Sequence, residues 1–117
     1  MEKNTGIKRL FYATSYSWQG FRSALANEPA FLQEFILVVV LSGVSFLLDI
    51  TAYEQLAMII SLVFILIVEI INSAIECVVD RIGSEHHILS GRAKDYGSLA
   101  VLISLLIAIA IWITILT

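Results

Sequence analysis

Val68-Glu69-Ile70-Ile71-Asn72-Ser73-Ala74-Ile75-Glu76-Cys77-Val78-Val79-Asp80-Arg81 is an apolar stretch that carries charge where a membrane helix should not. It continues the apolar run 56–68 without a break, so it reads as the second half of a bilayer-spanning segment. At about 100° per residue, Glu69, Ser73, Glu76 and Asp80 fall within roughly 60° of one another, with Asn72 beside them. Ionisable groups at membrane depth cost about 2.5–3.5 kcal/mol each on insertion scales, which makes the stripe a functional-site candidate. The competing reading is a set of interhelical hydrogen bonds that only joins helices. Two glutamates on one stripe favour function.

A chain of 117 residues that is 59% hydrophobic is too apolar for a soluble domain of this length. With one proline and six glycines, long uninterrupted helices are expected. Residues 1–117 read as one small membrane-embedded domain with no internal repeat, and no nucleic-acid partner is expected. The lone Cys77 excludes an intramolecular disulfide and reads as a small packing residue on an apolar helix. No signal peptide is expected, because the first thirty or so residues mix polar and apolar groups without a compact apolar core.

Residues 6–27 place Ile7, Leu10, Phe11, Trp18, Phe21 and Leu25 at helical spacing, with Lys8, Arg9, Tyr12, Gln19 and Ser23 between them. That pattern predicts an amphipathic surface helix with Trp18 and the basic groups among lipid headgroups. Asn27-Glu28-Pro29 breaks it. Spans are predicted over 30–48, 56–82 and 96–117, with a short polar connection at 49–55, a polar loop at 83–95 and Trp112 as an interface anchor. The fold class is therefore an all-α membrane protein of three transmembrane helices plus the N-terminal surface helix.

All seven basic residues (Lys3, Lys8, Arg9, Arg22, Arg81, Arg92 and Lys94) precede the first span or lie in or beside the 83–95 loop. The positive-inside rule places the N-terminus and that loop in the cytoplasm and the C-terminus outside. Glu34 lies fifteen residues before Asp49, and Glu69 fifteen after Glu54. At the helical rise, both carboxylates then sit roughly 22 Å from the outer connection and share a depth. Glu34 marks where the first span meets the cytoplasmic headgroups, so Glu69 is expected near that boundary. Glu76 is expected about 10 Å further towards water.

Carboxylates two turns apart, joined by Glu28 at a helix junction, suit a hard divalent cation and a proton acceptor. Magnesium typically takes one or two carboxylates plus phosphate oxygens, and Arg9, Arg81, Arg92 and Lys94 offer charge for a polyphosphate. A lipid hydroxyl reaching Glu69 and a nucleotide reaching Glu76 would meet there, which predicts phosphoryl transfer at the interface. No G-x-x-x-x-G-K-[ST], H-R-D or D-F-G motif is present, so any nucleotide site is unlike the common ones. A proton- or ion-translocating subunit and a purely structural oligomer stay open on the residues alone. His86 and His87 read first as polar loop residues, since adjacent side chains diverge.

The run from Glu69 to Glu85, with its E-x-x-N-S-x-x-E core, resembles the prokaryotic integral-membrane diacylglycerol kinases. So do Leu89-Ser-Gly-Arg-Ala-Lys94-Asp95, Gly97-Ser98, Tyr16-Ser-Trp-Gln-Gly20 and Asn27-Glu28. The resemblance covers nearly the whole chain and implies a homotrimer with active sites shared between neighbouring chains. The reaction it implies moves the γ-phosphoryl of MgATP to diacylglycerol, giving phosphatidic acid at the cytoplasmic face of a bacterial inner membrane. It implies Glu69 as general base, and Glu28 and Glu76 as Mg2+ ligands. Arg9, Tyr16, Ser17, Glu28, Glu76, Glu85, His86, His87, Lys94 and Asp95 fall at nucleotide-contact positions. Arg9, Trp18, Arg22, Ala30, Glu34, Glu69, Ser98 and Trp112 fall at the lipid site, with Asn72 supporting the catalytic face. Leu32, His86 and Tyr96 depart from the usual pattern, where a basic residue, Tyr and Met are common. Related small kinases phosphorylate undecaprenol, which is the alternative acceptor; the fuller surface helix favours diacylglycerol.

Overall fold

The computed structural model describes residues 5–83 and 86–117. Four helices follow in chain order: α1 Gly6–Asn27, α2 Pro29–Ser45, α3 Ala52–Ile82 and α4 Ile88–Leu116. No strand occurs among the described residues.

α1 and α2 meet at a bend of 105° centred on Glu28. Proline at the first position of α2 has no N–H to lose, and its ring pushes the preceding residue out of helical geometry. Glu28 accordingly takes φ −117° and ψ 94°. Its N–H donates to the Ala24 carbonyl at 2.9 Å, and its own carbonyl accepts from the Leu32 N–H at 3.1 Å. Its side chain makes no cap hydrogen bond. The backbone at the corner is satisfied, and the carboxylate has no hydrogen-bond partner among the described residues.

α2 ends at Ser45 and not at residue 48, because the chain tightens into three-residue turns: the Phe46, Leu47 and Leu48 N–H groups donate to the Gly43, Val44 and Ser45 carbonyls. Its 17 residues span about 25 Å, less than a hydrocarbon core of about 30 Å. α3 and α4 are each long and apolar enough to cross a membrane, and α1 with α2 make a further span only if counted together as a bent pair.

α3 begins at Ala52, four residues before the predicted span, because Thr51 and Glu54 form a capping box. The Glu54 N–H donates to Thr51 Oγ1 at 3.1 Å, and the Thr51 N–H to Glu54 Oε1 at 2.9 Å. Two donors that would otherwise be orphaned at the helix start are thereby paired.

The predicted loop at 83–95 is corrected more substantially. α4 starts at Ile88, with His87 as its N-cap and His87 Nδ1 accepting from the Leu89 N–H at 3.0 Å. Leu89, Arg92, Ala93 and Lys94 are good helix formers. Their polarity marks where lipid would end, which is not where the helix ends.

α3 is the central element. Along one face it buries Met58, Ser61, Leu62, Ile65, Glu69, Asn72, Ser73 and Val79. α4 meets that face with the small residues Gly97, Ser104 and Ala108 buried, as expected where helix backbones approach closely without water to drive them together. Val38, Leu62, Ile65 and Ala108 form the apolar core, with Leu41, Leu66, Leu105 and Trp112 packed on it. α1 is tied to α2 by aromatic rings: Phe21 lies 5.3 Å from Phe35 and 6.3 Å from Phe31 between centroids.

The buried polar groups in the Thr51 half of the bundle include Ser45, Ser61 and Ser104. Each donates its hydroxyl to a carbonyl of its own helix, so they are satisfied locally. The Trp112 indole N–H donates to the Met58 carbonyl of α3 at 3.1 Å, so this ring is used inside the bundle. Outward, α4 exposes Leu99, Leu102, Leu106 and Ile109, a face suited to lipid or to further copies of the chain.

Candidate active site

Glu69 is buried on α3, only 7% exposed. Three other carboxylates lie within electrostatic reach of it: Glu76 two turns along α3, Glu28 at the α1–α2 corner, and Glu34 on α2. The shared depth of Glu34 and Glu69 read from residue spacing is consistent with the coupling of their charges. Helical periodicity brings Glu69 and Glu76 to one side, and the proline-induced corner brings Glu28 to them. Glu34 is half-buried, with Oε2 enclosed and without a hydrogen-bond partner among the described residues.

Asn72 sits between Glu69 and Glu76 and is buried. Its Nδ2 donates to Glu76 Oε1 at 3.4 Å, which orients that carboxylate. Ser73 is buried beside it.

A cleft of about 600 Å³ opens between α1, α2 and α3. Ser17, Ser23, Glu28 and Ser73 give it polar points, while Phe21, Phe31, Val63, Leu66, Ile67 and Ile70 make an apolar wall. An amphiphile with a polar head at the Glu28 end fits that gradient. Ser17 contributes a hydroxyl that is already donated to the Ala13 carbonyl at 2.9 Å, leaving its lone pairs free. Val63, Leu66, Ile67 and Ile70 were not legible as site residues, since an apolar side chain in an apolar helix carries no signal of its own. Cys77, expected as a packing residue, is instead exposed and lines the cleft.

A second, polar cavity of about 230 Å³ lies at the Gly83 end, between α3 and α4. Asp80, Gly83, His86, His87, Ser90, Gly91 and Lys94 line it. Lys94 Nζ pairs with Asp80 Oδ1 at 2.9 Å. His87 spends Nδ1 on the cap of α4 and keeps Nε2 available. Glu85, a nucleotide-contact candidate, lies outside the described residues.

The remaining candidates are not gathered by one chain. Arg9, Tyr16, Trp18 and Arg22 are exposed along α1, and Ala30 is exposed at the start of α2. Asp95 and Ser98 are exposed on α4. Trp112 is held against Met58, eleven residues from Glu69 along α3, which is roughly 16 Å.

Among the described residues no three His, Cys, Asp or Glu side chains converge into a complete cage for a metal ion. Magnesium does not require one. It binds through one or two carboxylates together with substrate phosphates, and the uncommitted Glu28 and the Asn72-oriented Glu76 fit that donor set.

Residues 15–116 match the family described as prokaryotic diacylglycerol kinase. The chain belongs to that family. A diacylglycerol kinase of Escherichia coli K12 is 51% identical over 108 residues, covering 92% of this chain and 88% of that protein. The Haemophilus influenzae diacylglycerol kinase is 47% identical over 112 residues, covering 96% and 95%. The Pseudomonas aeruginosa diacylglycerol kinase is 48% identical over 112 residues, covering 96% and 91%. The prokaryotic diacylglycerol kinase match begins within α1 and runs through α4, so every element that carries a carboxylate of the cluster lies inside it.

Proposed function

We propose that this protein is an ATP-dependent diacylglycerol kinase, transferring the γ-phosphoryl of MgATP to the free hydroxyl of diacylglycerol to give phosphatidic acid and ADP. The observation that carries this reading is the buried Glu69 with Glu28, Glu34 and Glu76 in electrostatic reach, Glu28 also lining the apolar cleft. Membership of the prokaryotic diacylglycerol kinase family supports it.

Glu69 accepts the proton of the lipid hydroxyl as that oxygen attacks the γ-phosphorus and the bond to the β-phosphate oxygen breaks. The apolar wall of the cleft holds the acyl region and keeps water away from the acceptor. Glu28 and Glu76 would hold the magnesium ion, which when bound neutralises phosphate charge. Asn72 keeps the Glu76 carboxylate turned to that task. Lys94, with His86 and His87 around the polar cavity, offers cationic and hydrogen-bonding contacts to phosphate and nucleotide.

The active assembly is a homotrimer of three-span protomers in a bacterial inner membrane, with α1 on the cytoplasmic surface and sites shared between chains. The basic residues support that orientation, since the 46–51 connection and the C-terminus carry none. Sharing is supported by reach. Arg9 and Tyr16 are nineteen and twelve residues from Glu28 along one straight helix, roughly 28 and 18 Å, so they serve another chain's phosphates more readily than their own.

The test is a radiolabelled ATP assay on purified protein offered diacylglycerol and undecaprenol side by side, with and without magnesium. Magnesium-dependent label in phosphatidic acid supports the proposal. Label only in undecaprenyl phosphate moves the acceptor, and ATP consumption without label in either lipid removes the kinase reading.

A further inference from the structure

Gly97 is buried on α4, directly opposite Asn72. A Cβ at this position would fall onto Asn72 Oδ1 and within 3.0 Å of Asn72 Cγ. Gly6, Gly20, Gly43 and Gly91 have open space where a Cβ would stand, so this close approach separates Gly97 from them. Asn72 is 9% exposed, and its Oδ1 is enclosed without a hydrogen-bond partner among the described residues. The oxygen fills the space where a Gly97 side chain would stand, a close approach of the kind that lets helix interfaces use weak Cα–H···O contacts. With the oxygen held there, the amide has one orientation left for Nδ2, and it donates to Glu76.

We propose that Gly97 is a positioning residue for the phosphoryl transfer: its missing side chain locks the Asn72 amide, and through it the Glu76 carboxylate. The inference rests on the reading of Glu76 as a magnesium–nucleotide ligand. A methyl group at Gly97 has two ways to fit. Either the Asn72 side chain rotates away, or α4 moves outward, carrying Lys94, three residues earlier, with it. Both routes undo the Asn72–Glu76 hydrogen bond.

The experiment compares Gly97→Ala, Asn72→Ala, the double variant and Gly43→Ala in detergent micelles, with magnesium titrations and KM values for MgATP and diacylglycerol. Gly97→Ala should raise the KM for MgATP and the magnesium midpoint about tenfold, as loss of one hydrogen bond to a charged group implies. The KM for diacylglycerol should stay within about twofold, and Gly43→Ala should change none of these constants. On the Asn72→Ala background, adding Gly97→Ala should cost less than about twofold, because the group it acts through is gone. Should Gly97→Ala alone fail to fold, the pair of Asn72→Ala and the double variant, where the methyl has room, carries the same comparison. Native magnesium and MgATP constants in Gly97→Ala, or an equal loss in both backgrounds, overturn the proposal. Glu76→Gln, run in parallel, separates the failures. Unchanged magnesium dependence there removes the ligand reading, whereas a changed dependence there with native constants in Gly97→Ala removes only the role of Gly97.

Discussion

Lys94 Nζ donates to Asp80 Oδ1 at 2.9 Å, joining α4 to α3 across the polar cavity at the Gly83 end. Both side chains are well exposed, so water screens the pair and it holds the helices together only weakly. A lysine tethered this loosely is free to move onto a phosphate. Asp80→Asn should therefore leave thermal unfolding in micelles almost unchanged and alter the KM for MgATP less than about threefold. Lys94→Met should raise that KM about tenfold or more, because a charge-assisted contact to phosphate is lost. Equal effects of the two substitutions would show that the ion pair itself, and not Lys94 alone, serves the nucleotide.

Glu69→Gln preserves volume and hydrogen-bonding capacity while removing the proposed proton acceptor. Turnover should fall about 10²- to 10⁴-fold, with the fold and the KM for MgATP close to the parent. Steady-state kinetics together with circular dichroism check both halves. Turnover near the parent level would end the general-base assignment.

The proposed sharing of sites makes a prediction about mixtures. Glu28→Gln and Glu69→Gln protomers, each inactive alone, should regain activity when unfolded together and reassembled, because in the proposed trimer some hybrids contain an intact site. Crosslinking that confirms mixing without any regained turnover would place each site within one chain.

Thr51 and Glu54 close the far end of α3, eighteen residues from Glu69 in the case of Thr51, roughly 27 Å. Thr51→Ala should destabilise the protein by about 1 kcal/mol through the lost cap. Unfolding in detergent measures this, and the kinetic constants for both substrates should not move. A kinetic change would reveal coupling along α3 between its two ends.

Phe21 joins the α1–α2 corner and also lines the cleft. Phe21→Ala should cost about 2 kcal/mol as two edge-to-face contacts are lost, and should raise the KM for diacylglycerol more than that for MgATP. Faster proteolysis within α1 would accompany it if the ring anchors that helix. Equal rises in both constants would argue that the whole corner, Glu28 included, has shifted.

Much of the arrangement of the candidate site is legible in the sequence because it rests on local rules. Helical periodicity alone puts Glu69, Asn72, Ser73 and Glu76 on one side of α3. Pro29 alone forces a corner at Glu28, and counting residues from the 49–55 connection gives Glu34 and Glu69 their common level. Charge bias was equally plain. The start of α4 was misplaced because polarity reports solvent and not backbone geometry: a capped helix that emerges into water reads as a loop. Cys77 was read as packing for the related reason that periodicity alone does not say which flank of a helix a neighbour covers.

By itself, then, the chain's order of residues determined which acids share a stripe, where the backbone must turn, and which ends carry the cations. Those properties arise within a few turns of one helix. Tertiary structure decided the rest: that Gly97 presses on Asn72, that Val63, Leu66, Ile67 and Ile70 wall a cleft, and that the Trp112 indole bonds to Met58. Apolar side chains are nearly interchangeable to the eye in a greasy helix. Only the fit of one helix surface against another selects which of them meet.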